Sequence, residues 1–159
     1  MATLDESVKD FLAQRRIAVA GVSRTRQDAA NLIYRRLRDR GYQAFPVNPN
    51  AETVEGDRCY PDLASIPGGV DGVVIVTRPT VTDAIVHQCP GAGVRRVWMH
   101  QSLAHGGTSV SQAAREFCRA NNIKVIAGGC PLMFGKPSDF GHRCMRWVMR
   151  LTGGLPAAG

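Results

Sequence analysis

Apolar residues along this chain come in two rhythms, short unbroken runs and wider helical spacings, and the two alternate. Leu4, Val8, Phe11 and Leu12 fall at i, i+4, i+7 and i+8, and Thr3-x-x-Glu6 in front of them reads as a capping box. A helix is therefore expected first. The pattern then tightens to Ile17-Ala18-Val19-Ala20-Gly21-Val22, a run suited to a strand buried on both faces. After a polar loop, Ser23 to Asp28, helical spacing returns at Ala30, Ile33, Tyr34 and Leu37, with Arg35, Arg36, Arg38 and Arg40 set mostly toward solvent and Gly41 as the stop.

The alternation continues to the end of the chain. Tyr42 to Val47 reads as a second strand closed by Asn48-Pro49-Asn50, and Cys59-Tyr60 as a short edge strand. Gly72 to Val76 is a third strand, ending at Thr77-Arg78-Pro79. A helix with an apolar face of Val81, Ile85 and Cys89 follows, its start assigned to a box at Thr80-x-x-Asp83. Arg96 to Met99 is a fourth strand opening into His100-Gln101-Ser102-Leu103. Ser109-x-x-Gln112 is assigned as the cap of a helix carrying Val110, Ala114 and Phe117, and Lys124 to Ala127 is a fifth strand before Gly128-Gly129-Cys130-Pro131. Strands alternating with helices in this way predict a Rossmann-like α/β fold: a doubly wound parallel sheet of about five strands, helices on both faces. The domain spans residues 1–137. Residues 138–159 form a helical tail, to about Leu151, that packs on or extends from it and frays at Gly153-Gly154.

Composition narrows the class. In 159 residues, 44% hydrophobic and 21% charged, no disordered or fibrous pattern appears. Five cysteines at wide spacing, without a C-x-x-C pair, disfavour a disulfide framework or a metal site. No apolar run approaches the roughly 18 residues of a membrane span, and Asp5 and Glu6 stand where a signal peptide carries bases, so a soluble, reduced, cytoplasmic protein without a membrane partner is expected. The formal charge of +7 is mostly arginine, 17 Arg against 3 Lys. That excess fits either an anionic ligand or a bias toward arginine codons. Without a recognised motif or clustered aromatics, nucleic acid is not the expected partner.

In doubly wound sheets ligands sit at the carboxyl ends of the strands, near the point where strand order reverses. The loops expected there are Gly21 to Arg26, Asn48 to Asn50, Thr77 to Thr80 and His100 to Leu103. They hold three arginines, Arg24, Arg26 and Arg78, and no acid before Asp28. Small hydroxyls and a helix start beside a glycine suit a phosphate. Gly21-Val22-Ser23-Arg24 lacks the later glycines of a dinucleotide fingerprint and the lysine of a P-loop, and the second strand ends in Asn48 rather than an acid for a ribose; both count against NAD.

Ile17 to Ser23, Pro46-Val47-Asn48-Pro49-Asn50, Thr77-Arg78-Pro79, Val97-Trp98-Met99-His100-Gln101 and Cys130-Pro131-Leu132-Met133-Phe134 together resemble the small stand-alone CoA-binding proteins. These are similar to the N-terminal CoA-binding domain of the succinyl-CoA synthetase α subunit. The resemblance covers about Asp10 to Phe134. It implies CoA or an acyl-CoA across the strand ends, with phosphate and pantetheine contacts at Gly21, Val22, Ser23 and Arg24. It further implies adenosine-side contacts at Val47, Asn48, Pro49 and Asn50, more at Thr77, Arg78 and Pro79, and contacts near the thiol at His100 and Gln101. Many relatives carry a lysine after the Asn-Pro; Asn50 stands there instead, which moves the cationic contact to Arg24, Arg26 or Arg78.

No catalytic residue is assigned. His87, His105 and His142 read as surface or structural histidines, Cys130 as a buried structural cysteine, and Ser23 lacks a nucleophile elbow. The expected function is a non-catalytic binding, sensor or carrier module. An NAD(P)-linked oxidoreductase, or a small acyl-CoA-handling enzyme using His100 or Cys130, is the alternative. A homo-oligomer and an unknown protein partner both stay open.

Overall fold

The computed structural model describes residues 2–25, 28–102, 107–135 and 157–158. Helix α1 (Leu4–Leu12) leads into β1 (Arg16–Ala20), α2 (Ala29–Asp39) and β2 (Gln43–Val47). A small hairpin, β3 (Thr53–Val54) and β4 (Asp57–Arg58), precedes β5 (Gly72–Ile75), α3 (Pro79–Gln88), β6 (Arg96–Met99), α4 (Gln112–Ala120) and β7 (Lys124–Ala127). A short 3-10 turn, Pro131–Met133, follows, and Ala157–Ala158 form β8. The main sheet runs β2-β1-β5-β6-β7-β8, and its first five strands are all parallel.

Alternation along the strands sorts the core into two layers. Ile17, Val19, Val74, Trp98 and Ile126 point to one face, where Phe11 of α1 and Ile33, Tyr34 and Leu37 of α2 cover them. Ala18, Ala20, Val73, Ile75, Val97, Met99 and Val125 point to the other, under Ile85, Val86 and Cys89 of the α3 segment and Ala114 and Cys118 of α4. Helices on both faces of a parallel sheet are what right-handed crossovers produce. Phe11 and Phe134 both pack on the buried Trp98, at ring-centroid distances of 5.5 and 5.7 Å. The chain leaves β1 toward β2 and returns to place β5 on β1's other side, so strand order reverses between β1 and β5.

The capping box at Thr3 and Glu6 is present, with the Thr3 amide donating to Glu6 Oε2 at 2.7 Å. Two other helix starts lie elsewhere than the sequence predicts. Helix α3 begins at the Arg78 N-cap with Pro79 in its first turn, so Thr80 and Asp83 are inside the helix. Its register turns Val81 outward, 39% exposed, and buries Thr82, Ile85 and Val86. Helix α4 is capped by Ser111, which accepts from the Ala114 amide, because Ser109 and Val110 are still in the loop. The hairpin was also not anticipated; Tyr60 beside it makes one bridge to Val47. The predicted helix of the tail and the fraying at Gly153-Gly154 lie outside the described residues; Ala157–Ala158 pair antiparallel with β7 at that edge of the sheet.

Arg35, Arg38 and Arg40, expected mostly in solvent, are tied to the fold. Arg35 bonds Glu55 at 2.8 Å, Arg38 bonds Asp57 at 2.6 Å, and Arg40 donates to the carbonyls of Phe134 and Leu132. Among the described residues no helix is long and apolar enough to cross a membrane.

Candidate functional site

The reversal between β1 and β5 brings two backbones unusually close. Gly21, at φ 101°, leaves β1 with its α-carbon so near β5 that a Cβ there would stand 2.0 Å from the Val76 carbonyl oxygen. Glycine is required at this position on both counts. Next to it opens a cavity of about 530 Å³ bounded by Asp28, Thr77, Arg78, His100, Thr108 and Ser109, among others. The starts of α2 and α3 both lie on its rim, since Asp28 and Arg78 are their N-cap residues. Neither helix start is capped by a side chain, and neither has an acid in its first turn. At α3, where Pro79 has no N–H and the Val81 and Thr82 amides donate to the Arg78 carbonyl, the Thr80 amide is left to face a ligand, and the partial positive charge of both helix starts favours an anion.

The first predicted loop is held from behind. Val22 is fully buried, and its carbonyl accepts from Asn48 Nδ2 at 2.7 Å. The amide of Ser23 donates to Asn31 Oδ1, and its carbonyl accepts from Asn31 Nδ2, both at 2.8 Å. Ser23 Oγ is bonded to the Asp28 carboxylate and to Thr25 Oγ1, and Thr25 Oγ1 donates to Asp28 at 3.1 Å. The rim is thus not free of acid, as its composition led one to expect, because the N-cap residue of α2 folds back over the loop. Arg24 is exposed and in no ion pair among the described residues; Arg26 lies outside them.

The second predicted group backs the first loop through Val47 and Asn48 and does not line this cavity. Asn48 is spent on Val22 and on the Asn50 amide, which donates to its Oδ1 at 2.8 Å. Val47 is buried and takes the Gly21 amide at 3.2 Å. Pro49 and Asn50 are exposed and border a different cavity, with Arg58 and Cys59. Thr77 and Arg78 do line the 530 Å³ cavity; the Thr77 amide donates to Ser109 Oγ at 2.9 Å, and Arg78 is exposed without an ion pair among the described residues. Pro79 forms the first turn of α3.

His100 is 6% exposed, and its carbonyl accepts from the Ser109 amide at 2.7 Å, so the β6 loop is braced against the start of the following segment. Gln101 is exposed and its amide donates to Gly129. Cys130 is buried in the α1 and α2 layer rather than on this cavity. His87 is exposed, stacked on Phe117 at 4.0 Å; His105 and His142 lie outside the described residues. Sequence reasoning missed Asp28, Thr108 and Ser109 as wall residues. Ser109 carried a signal, a hydroxyl just before a helix, but it was assigned to the wrong role.

Residues 15–136 match the model of the CoA binding domain. The chain belongs to that family. The acetate–CoA ligase (ADP-forming) of Methanocaldococcus jannaschii is 23% identical to this CoA binding domain over 79% of the chain, which spans only 18% of that ligase. The uncharacterized protein YneT of Bacillus subtilis is 25% identical over 77% of the chain and 87% of its own length. A solved hypothetical protein from Pyrococcus horikoshii superposes with a TM-score of 0.72 at 26% identity, covering 82% of this chain and 92% of its own. The ligases among the relatives include acetate–CoA ligases and a 4-hydroxybutyrate–CoA ligase, where the sequence resemblance points to succinyl-CoA synthetase.

Proposed function

We propose that the chain binds CoA or an acyl-CoA at the carboxyl ends of β1, β5 and β6, as a module that carries or senses the ligand without transforming it. The observation that carries this reading is the convergence on one cavity of two helix starts without side-chain caps and of Arg78, exposed and in no ion pair among the described residues. Arg78 and Arg24 would meet the phosphates, Arg78 with the planar fork that suits them. Thr77 and the hydroxyl-bearing wall at Thr108 and Ser109 would orient the pantetheine arm, with buried His100 at its thiol end. CoA supplies the thiol that carries an acyl group.

The internal use of Asn48 supports CoA over NAD. NAD sites grip the ribose with a carboxylate at the end of the second strand, and Asn48 stands there instead, its side chain holding the Val22 carbonyl and the Asn50 amide. The carrier role is supported by the placement of the thiols. Cys130 is away from the cavity, and burial pushes Cys89 and Cys118 up to about 12 and about 11, far from a reactive thiolate.

Calorimetry with CoA, dephospho-CoA, NAD⁺ and NADP⁺ tests the ligand. CoA should bind best, and Arg78→Ala should weaken it about tenfold, the loss of one charge-assisted contact. Binding of NAD⁺ without CoA would reject the reading. Incubation with acetyl-CoA should release no free thiol; protein-dependent release would replace the carrier with an enzyme.

A further inference from the structure

We propose that the β3–β4 hairpin sets the affinity of the ligand loop through a positioning pair, Glu55 and Asn31. This rests on the CoA reading for the identity of the ligand, but not for the geometry. Asn31 is 1% exposed, and its carboxamide is fully employed: Oδ1 accepts the Ser23 amide, one Nδ2 hydrogen goes to the Ser23 carbonyl and the other to Glu55 Oε1 at 2.9 Å. The same Glu55 oxygen takes Arg35 Nη1 at 2.8 Å, and the Glu55 side chain is only 6% exposed. A continuous chain of polar contacts therefore runs from the hairpin turn to the backbone of the loop that follows Gly21.

The turn itself says that Glu55 is there for its side chain. Val54 pairs with Asp57, leaving Glu55 and Gly56 as a two-residue connection with φ of 55° and 82°. Both central residues are left-handed, the type I′ geometry for which Asn-Gly, Asp-Gly or Gly-Gly is preferred. Glutamate is a poor residue for the first position. Asn122, the other non-glycine residue with positive φ among the described residues, has an ordinary setting just past the end of α4. Glu55 has no such local reason, and strained backbone of this kind persists where surrounding contacts over-determine it. The Glu55 side chain is held by Asn31 and Arg35, and through Asn31 it bears on the position of Ser23.

The consequence for binding is preorganisation. With its amide and carbonyl fixed, Ser23 holds its hydroxyl and the start of Arg24 at the rim without a ligand present, so less ordering is left to occur on binding. Releasing Glu55 would let this segment sample other positions while leaving every proposed ligand-contacting residue in place.

Glu55→Asn separates the two roles, because Asn-Gly is the better turn but its shorter side chain cannot span to Asn31. We expect this variant to keep or raise the thermal midpoint, to bind CoA about fivefold more weakly by calorimetry, and to lose hydrogen-exchange protection at the Ser23 amide. Glu55→Gln, which keeps both the reach and an acceptor oxygen, should retain affinity and protection near those of the unmodified chain. Arg38→Ala, which removes the exposed pair with Asp57 and a 3.4 Å contact to the Glu55 carbonyl but leaves the Glu55 carboxylate on Asn31 and Arg35, should leave CoA affinity unchanged. Full affinity and full Ser23 protection in Glu55→Asn would overturn the proposal, as would failure of that variant to fold, since the turn would then not be the strained element argued for. If the unmodified chain does not bind CoA, the functional reading fails, and exchange at Ser23 still decides whether the brace exists.

Discussion

Substituting Gly21 by alanine isolates the close approach on which the site depends. The new Cβ would lie 2.0 Å from the Val76 carbonyl oxygen, 2.8 Å from its carbon and 3.1 Å from Thr77 Cγ2, on a residue at φ 101°. Two terms add. A non-glycine residue in this region of backbone space costs about 1–3 kcal/mol. Overpacking against an atom that cannot swing aside costs about 1–3 kcal/mol more. The Val76 oxygen is such an atom, because the Val76 amide is held to the Ala20 carbonyl at 2.9 Å across the two strands. The total of about 2–6 kcal/mol corresponds to a fall in thermal midpoint of about 5–20 °C for a domain of this size. Gly41→Ala is the matched control. Its φ is 87°, but no heavy atom lies within 4 Å of the added Cβ, so only the backbone term applies. Thermal unfolding followed by circular dichroism should therefore show Gly21→Ala falling about twice as far as Gly41→Ala, and CoA titration well below the midpoint should show weakened binding in Gly21→Ala alone. Equal midpoints for the two variants would refute the close approach of β1 and β5.

Three further outcomes follow from the polar contacts. Asp28→Asn removes the carboxylate from the rim and should strengthen CoA binding about fivefold at low salt, since a like charge a few ångströms away in water is worth about 1 kcal/mol, and the gain should fade as salt screens it; weaker binding with the midpoint intact would show that the carboxylate recruits the ligand instead. Asp10 accepts two bonds from Arg96, at 2.8 and 3.2 Å, and one from Lys124, and the Arg96 bonds chiefly hold its carboxyl below the usual range. Its stabilisation is thus present above the unfolded value near 4 and lost as pH falls through the lower folded one, so Asp10→Asn should lower the midpoint by about 3 °C at pH 7 and make no difference at the acid end of the scan; a pH-independent gap would contradict it. Cys59, Cys89 and Cys118 are buried free thiols, and mass-mapped alkylation at pH 8 should leave all three unmodified until the chain is denatured; labelling of any one at its denatured rate would mean that its layer opens readily.

The sheet was legible because its strands are buried on both faces. Ile17 to Ala20, Val73 to Ile75 and Val97 to Met99 admit no polar alternation, and glycine or proline closes several of the runs. Helix starts were less legible, because S/T-x-x-D and S/T-x-x-Q patterns occur by chance near any polar loop. At α3 a proline in the first turn outweighed the pattern, and at α4 the hydroxyl two residues further on took the cap. The hairpin escaped notice because its strands are two residues long and its turn carries a glutamate where turn chemistry asks for asparagine or glycine. The candidate site was legible as a set of strand ends. What one dimension could not show is which of their atoms are already spent. Ser23 and Asn48 look like ligand residues in the sequence, and the fold commits the Ser23 backbone and the Asn48 side chain to holding the loop.

The same distinction applies to the arginine excess. A count of 17 Arg offers an anionic ligand many candidate partners, yet most of those with described contacts already have others. Arg16 donates to Gly69 and Gln43 at the opposite end of the sheet, Arg96 braces α1 through Asp10, and Arg35, Arg38 and Arg40 fasten α2 to the hairpin and to the turn after β7. Guanidinium suits these positions because one planar head can reach two acceptors at a partly buried seam, which a lysine ammonium does less well. A substitution at any of them should register as stability before it registers as binding. Arg24 and Arg78 share their exposure and lack of an ion pair among the described residues with Arg15, Arg36 and Arg119, and differ from those in following the strands at the reversal point of the sheet. Salt dependence of CoA binding should therefore report on these two, and removing both should flatten it, whereas removing Arg35 and Arg38 should leave its slope unchanged.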